Sequence, residues 1–246
     1  MAIESQAAAP EAHAAEAGLP YLHHHFDDLE QQRESTSLCM WLVLATECMM
    51  FGGLFFAYTL YRWMYSGAYH VGSSLLNIRL GTANTFVLLF SSWTMARAVH
   101  AAAERQKSTM VKFLALTWLL GATFIGIKAV EWTADYHEGI MPAVRWLYPA
   151  GHPDAAAELA KEHTTPQHVM MYFVVYFCMT GLHAIHMVAG LILVGTFIVL
   201  GQKGQFTNGN DQPVEIGGLY WHLVDIIWVF LFPLLYLIAG FHVGGQ

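Results

Sequence analysis

The chain has 246 residues, of which 56% are hydrophobic and 12% are charged, whereas soluble domains average about 45–50% and about 25%. This composition argues against an ordinary soluble enzyme. Eleven Lys and Arg residues against eighteen Asp and Glu residues give a formal net charge of −7. The chain therefore lacks the basic field that gathers nucleic acid, and we expect no nucleic-acid partner.

The N-terminal segment, residues 1–37, is polar and acidic, and Arg33 is its only basic residue. Signal and transit peptides need basic charge, and a signal peptide also needs a compact apolar core; this segment lacks both. We therefore predict a solvated tail that is kept in the mature protein. A metal site or a tag remnant at His23, His24 and His25 is the alternative to a plain polar tail.

Five apolar stretches are long enough to cross a bilayer as helices, because about 20 residues at ~1.5 Å each span ~30 Å of hydrocarbon. They comprise residues 38–61, 80–99, 110–132, 168–200 and 216–240. The runs are too long for membrane strands and do not alternate in polarity. The sequence predicts an all-α, polytopic membrane domain over residues 38–242 with five spanning helices.

The fourth stretch has 33 residues, or about 50 Å of helix, so it must tilt or protrude from the bilayer. Residues 133–167 form a proline-rich loop before it, with a helix-like segment at residues 154–163. We expect this loop to form a small extramembrane cap on the outer side.

The distribution of Lys and Arg predicts the orientation of the chain in the membrane. With the N-terminus inside, six basic residues lie on the inner side and four on the outer side, and most of the excess comes from residues 97–112. This weak bias places the N-terminus inside and, after five spans, the C-terminus outside.

Two carboxyl groups lie at similar depth in the predicted spans. Glu47 is the tenth residue of the first span and Asp225 is the tenth residue of the fifth. A charge at the centre of a bilayer costs at least about 2.5–3.5 kcal/mol on insertion scales, so both groups are expected to face protein.

Histidines accompany these carboxyl groups. His183 and His186 are one turn apart on the fourth span, and His222 precedes Asp225 by the same spacing on the fifth. We hypothesise that these four residues and Glu47 share one buried polar seam between the first, fourth and fifth spans. The alternative is that each group separately bonds a backbone carbonyl or a buried water.

Lys128 and Glu131 are spaced to pair along the third span, near its outer end. Long charged side chains near a helix end commonly extend toward the lipid headgroups. We therefore expect a surface ion pair at this helix end.

No catalytic or metal-binding constellation stands out. A membrane haem would need two axial nitrogens from opposite sides, which His186 and His222 could in principle supply. No compact four-ligand zinc set is present in the sequence. Neither a nucleophile elbow nor a phosphate-binding loop occurs. The glycine pairs at residues 52–53 and 217–218 instead suit close helix packing in a larger assembly.

Several strings in the spans are distinctive. The first span contains Ala-Thr-Glu-Cys-Met-Met-Phe-Gly-Gly-Leu-Phe-Phe-Ala-Tyr at residues 45–58. The fourth contains Gly-x-His-x-x-His-x-x-x-Gly at residues 181–190, and the fifth contains Tyr-Trp-His-Leu-Val-Asp at residues 220–225. Together with Asn84-Thr85 and residues 129–132, these strings resemble subunit III of haem-copper oxidases, a family that includes cytochrome c oxidase subunit III. The first string is similar to the carboxylate-bearing helix of that family, and the last is similar to its Tyr-Trp-His-Phe-Val-Asp pattern. The resemblance covers nearly all of the chain from Leu38 onward, in the family's order.

The resemblance implies a five-helix bacterial form of a subunit that has no active site or cofactor of its own. Subunits I and II of a proton-pumping terminal oxidase would carry the haems and copper, and an extension of subunit I would supply two missing helices. The chain would bind subunit I and phospholipid in the bacterial inner membrane and support proton uptake and turnover. A larger respiratory supercomplex would be a further partner of such a subunit.

The resemblance also assigns residues. Glu47 takes the place of the family's intramembrane carboxylate and Asp225 that of the final helix's aspartate, while Lys203 is the nearest candidate for contact with a lipid headgroup, although the family has an arginine there. Cytochrome c is the first choice of electron donor. The alternatives are a quinol oxidase subunit or an accessory subunit of a nitric oxide reductase.

Two other classes fit the sequence less well. A self-contained transporter would show inverted repeats with broken helices. A dihaem electron carrier would need two pairs of axial histidines, which the predicted spans do not supply.

Overall fold

A computed structural model describes residues 28–142, 144–206 and 211–237. Most of the predicted tail, including its three adjacent histidines, and the end of the last predicted span lie outside these residues. In chain order the elements are α1 (Leu29–Met64), α2 (Ser66–Ser74), α3 (Ile78–Ala103), α4 (Lys107–Glu138), β1 (Ile140–Met141), β2 (Arg145–Trp146), α5 (Ala155–Lys161), α6 (Pro166–Gln202) and α7 (Gln212–Tyr236).

Five of the helices, α1, α3, α4, α6 and α7, are long and apolar enough to cross a membrane. This confirms the predicted all-α class with five spanning helices. Helix α6 has 37 residues, about 55 Å at ~1.5 Å per residue, so it is longer than the hydrocarbon core is thick.

Local signals explain where several helices begin and end. Helix α1 begins ahead of its apolar stretch because the Asp28 carboxylate accepts a hydrogen bond from the Gln31 amide at 2.6 Å. Asn77 caps α3 in the same way. Helix α4 ends at Gly139, whose φ of 74° places it in the left-handed region.

A small cap of short elements connects α4 to α6. The antiparallel hairpin pairs Ile140 with Trp146, and α5 follows it. Helix α2, between α1 and α3, packs on this cap, where a Cβ atom at Gly67 would lie 2.3 Å from the Glu162 carbonyl oxygen. His70 of α2 also lies 3.6 Å from the Glu162 carboxylate.

The centre of the bundle is an interface of α3 with α4 and α7, joined by polar side chains. The Trp228 indole donates to the Thr85 hydroxyl at 3.1 Å, and the Trp221 indole donates to the Ser91 hydroxyl at 3.0 Å. Such hydrogen bonds hold membrane helices together where no hydrophobic driving force separates helix from lipid.

The two predicted glycine pairs differ in their surroundings. A Cβ atom at Gly217 would lie 2.2 Å from the Phe197 ring, and one at Gly218 would lie 2.8 Å from Val99. Neither Gly52 nor Gly53 has a neighbour within 4 Å of such an atom in the described chain. Close packing is therefore present at the α7 pair, whereas the α1 pair lies on an open face.

Helix α1 is the peripheral helix of the bundle. Its outward side exposes large apolar side chains, including Trp41 at 62% and Phe56 at 71%. The buried apolar and aromatic side chains among the described residues of α1 are Met40, Phe51 and Tyr58. They follow one another at about three and then about two turns of helix and form a narrow seam toward the other helices.

Candidate intramembrane polar site

Glu47 of α1 and His186 of α6 meet between these two helices. Glu47 Oε2 lies 2.9 Å from His186 Nε2, with the side chains 21% and 16% exposed. The contact is within ion-pair distance without being a fully aligned hydrogen bond. The ring of Phe51, one turn from Glu47, packs edge-on to the imidazole with centroids 5.5 Å apart.

The second ring nitrogen of His186 fixes how many protons this pair can hold. Nδ1 lies 2.8 Å from the Leu182 carbonyl oxygen, which can only accept, so Nδ1 carries a hydrogen. Nε2 and the Glu47 carboxyl can therefore hold at most one further shared proton. With that proton present, the pair is either a neutral acid beside a neutral imidazole or a carboxylate beside an imidazolium, and its net charge is zero in both forms.

This proton count determines what the pair can do chemically. A proton can move between Oε2 and Nε2 without adding net charge to the bilayer interior, where charge is costly. Helix α7 supports the site, since the Tyr220 hydroxyl donates to the His186 carbonyl oxygen at 3.1 Å.

His222 and Asp225 face α3 instead. The Ser92 hydroxyl lies 2.7 Å from His222 Nδ1, and Ser92 is also within reach of the Asp225 carboxyl. Asp225 is only 3% exposed, and neither of its oxygens makes an aligned hydrogen bond within the described residues. The structure thus brings these two residues together, but on another helix interface than Glu47.

His183 occupies an aromatic environment. It is 1% exposed and lies between the Phe124 ring, at 5.6 Å, and the Trp228 ring, at 5.2 Å. Neither ring nitrogen has a hydrogen-bond partner in the part of the chain that the structure describes. The contacts therefore divide the five residues of the predicted seam among three environments, of which Glu47 with His186 is one.

Lys128 and Glu131 do pair, with Nζ 3.0 Å from Oε2, but their side chains are only 3% and 2% exposed. The expectation of a surface pair reaching for headgroups is wrong. This side of α4 faces α6 and α7, where Tyr176 and Tyr236 supply the polar partners that a buried charge needs.

The Lys128 ammonium is fully satisfied. Its three N–H groups have three acceptors: Glu131 Oε2 at 3.0 Å, the Tyr176 hydroxyl at 3.1 Å and the Tyr236 hydroxyl at 2.6 Å. The Tyr236 hydroxyl in turn donates to Glu131 Oε1 at 2.5 Å. Neither tyrosine was predicted as a partner, because both lie on other helices and no local spacing connects them to Lys128.

Lys203 is an exposed residue that caps the C-terminal end of α6. A cation is favourable beside the free carbonyl groups of a helix end. Its contact with a phospholipid headgroup stays a prediction, as does the expectation that the chain holds no haem or metal of its own.

Comparisons with known proteins match this chain along most of its length. A family model described as cytochrome c oxidase subunit III matches residues 163–240, which contain α6 and α7. A probable quinol oxidase subunit 3 of Staphylococcus aureus (strain USA300) is 26% identical over 220 residues, covering 89% of this chain and 96% of the relative. A protein of the same name from Staphylococcus epidermidis is 25% identical over 221 residues, with the same two shares covered.

Proposed function

This chain belongs to the subunit III family of haem-copper oxidases, and we propose that it acts there as a non-catalytic subunit that supports proton uptake and sustained turnover. Electron transfer and oxygen reduction take place in partner subunits I and II, which hold the haems and copper. The subunit belongs to aerobic respiration in the inner membrane of a bacterial cell.

The observation that carries this proposal is the contact of Glu47 with His186 at 2.9 Å. Moving one proton between Oε2 and Nε2 places no net charge in the bilayer, whereas release of that proton leaves one negative charge on the partly exposed pair. In this proposal the pair buffers protons beside subunit I, so that uptake keeps pace with turnover. Asp225, beside Ser92, is a second buried carboxyl in the same role.

The open face of α1 supports the proposed contact with subunit I. It combines exposed Trp41 and Phe56 with Gly52 and Gly53, beside which another helix can approach closely. We place the N-terminus inside and the C-terminus outside, from the distribution of Lys and Arg. The cap then lies on the outer side and Lys203 on the inner side, where it binds an anionic headgroup.

Two versions of this proposal differ in the electron donor of the oxidase. Cytochrome c is the donor that the sequence resemblance puts first. The two Staphylococcus relatives are named as quinol oxidase subunits, which favours quinol. The donor site belongs to subunit II, so this chain serves either version in the same way.

Purification of the tagged chain from its native membrane in a mild detergent tests the proposal. We expect it to bring down subunits I and II, identified by peptide mass spectrometry, with the optical spectrum of an oxidase haem. A copper-binding site in the sequence of subunit II indicates cytochrome c, and its absence indicates quinol. Recovery of the intact chain alone and colourless contradicts the proposal.

A further inference from the structure

The last described turn of α7 receives hydroxyl groups from two other helices. The Tyr58 hydroxyl of α1 donates to the Leu234 carbonyl oxygen, and the Tyr172 hydroxyl of α6 donates to the Leu235 carbonyl oxygen at 2.7 Å. The side chain of the next residue, Tyr236, bonds to Lys128 and Glu131 of α4. We call Leu234, Leu235 and Tyr236 the anchor turn, because α1, α4 and α6 all bond to it.

Tyr58 and Glu47 lie on the same side of α1. They are eleven residues apart, which is close to three turns, so their side chains differ by only about 20° around the helix axis. Phe51, between them, is 1% exposed. Tyr58 and Glu47 are thus the polar members of the narrow seam by which α1 contacts the other helices.

Apolar contacts set the position of α1 along its axis only weakly. In a bilayer the lipid tails are as apolar as the seam itself, so sliding the helix costs little contact energy. Arg33 makes two further polar contacts at the start of α7, from Gln212 to its carbonyl oxygen at 2.8 Å and from its guanidinium to Asp211 at 3.6 Å, but both are accessible to solvent and compete with water. The buried hydroxyl of Tyr58, which is 0% exposed, has no such competitor.

We infer that Tyr58 is a positioning residue for the Glu47–His186 pair. Its hydrogen bond to the anchor turn sets the axial register of α1, and this register brings the Glu47 carboxyl to His186. One turn of slippage moves a side chain by about 5.4 Å along the axis, which would end a contact of 2.9 Å. The inference rests on the proposed function, since it says how the proton-sharing pair is held.

Two tyrosines provide matched controls. Tyr172 donates to the neighbouring carbonyl of the same turn, but from α6, so Y172F loosens the anchor turn without releasing α1. The ring of Tyr69 packs against that of Tyr58 at 5.1 Å, and its own hydroxyl has no partner within the described residues. Y69F therefore removes an equivalent hydroxyl with no effect on register.

The test is infrared difference spectroscopy of the carboxyl region in the complete purified oxidase, with the Glu47 band identified by its absence in E47Q. We expect Y58F to shift this band to the frequency of an acid without a partner. Loss of one buried hydrogen bond should lower the population of the paired form roughly fivefold to tenfold. The Y172F and Y69F variants should keep the wild-type band.

The outcomes separate this inference from the proposed function. An unchanged Glu47 band in Y58F overturns the inference, as does an equal shift in Y172F, which would indicate general loosening. A shifted band in Y58F without loss of turnover in E47Q upholds the positioning role and contradicts the proposed function. If Y58F lowers the amount of subunit III in the complex, spectra normalised to the retained subunit still report the band.

Discussion

Two acid–base pairs lie within the spanning helices, and they differ in how their hydrogen-bonding groups are satisfied. Lys128 and Glu131 are almost fully buried, and all three ammonium hydrogens have acceptors. Glu47 and His186 are partly exposed, and Oε2 lies 2.9 Å from Nε2, close enough for a proton to pass between them. In the first pair every ammonium hydrogen already has an acceptor, whereas in the second a proton can move between the two partners.

Burial of charge alone therefore does not identify a proton site. Buried ion pairs are tolerated where every donor and acceptor is matched, and such a pair stabilises the packing of the helices that supply its partners. A pair such as Glu47 and His186, which is partly exposed and whose hydrogen-bonding groups are not all matched, is the better candidate for proton exchange. The predictions below test this division.

The largest expected effect is that of K128M. Removal of the ammonium leaves the Glu131 carboxylate buried without its counter-ion, which costs roughly 3–5 kcal/mol. We expect loss of the subunit from the purified oxidase, or a large fall in its thermal denaturation midpoint. The matched control K128M/E131Q removes both charges and should recover much of the loss. Wild-type stability of K128M would show that the pair contributes nothing to packing.

Y236F should have an intermediate effect. It removes a hydroxyl that bonds both Lys128 and Glu131, and hydrogen bonds to charged groups contribute about 1.5–3 kcal/mol. Thermal denaturation of the complex measures this loss. Y69F removes a buried hydroxyl that has no partner within the described chain, so it breaks no hydrogen bond and should not lower the denaturation midpoint. Equal effects of the two variants would contradict the assigned network.

E47Q should leave stability and haem content nearly unchanged and alter function. The amide keeps the size of the side chain but cannot exchange a proton with His186. We expect slower proton uptake or a shorter catalytic lifetime, measured as the number of turnovers before activity is lost. Wild-type uptake and lifetime in E47Q would remove the carboxyl from the mechanism.

K203A should have the smallest effect, confined to bound lipid. Lys203 is exposed at the end of α6, so its loss should not disturb the fold. We expect less anionic phospholipid in the purified complex by lipid mass spectrometry. K161A, at the other end of the bundle, serves as the control. Unchanged lipid content in K203A would refute the headgroup contact.

The five long helices followed from the sequence because the length of an apolar run is a local property. Helix α2, with nine residues, was not predicted, because it is too short to span a bilayer and its burial depends on the cap. Its neighbour Tyr58 carries no local signal either, since its partner, the Leu234 carbonyl, lies 176 residues away.

The sequence predicts how deep each residue of the site lies in the membrane but not which neighbouring helix its side chain faces. Residue count along a span gives the depth of a side chain in the membrane, which is why Glu47 and His186 could be placed in one predicted seam. Which side of a helix faces which neighbour depends on the packing of all five helices. For this reason the sequence did not show that His222 faces Ser92, or that the Lys128–Glu131 pair faces Tyr176 and Tyr236.

A double-mutant cycle on proton uptake tests the shared proton of Glu47 and His186 most directly. The purified oxidase is compared with E47Q, H186Q and the double variant, and the initial rate of proton uptake is measured in each. If the two residues act as one unit, the double variant is no slower than the slower single variant. Rates that fall independently and multiply in the double variant, or that do not fall at all, would contradict a shared proton.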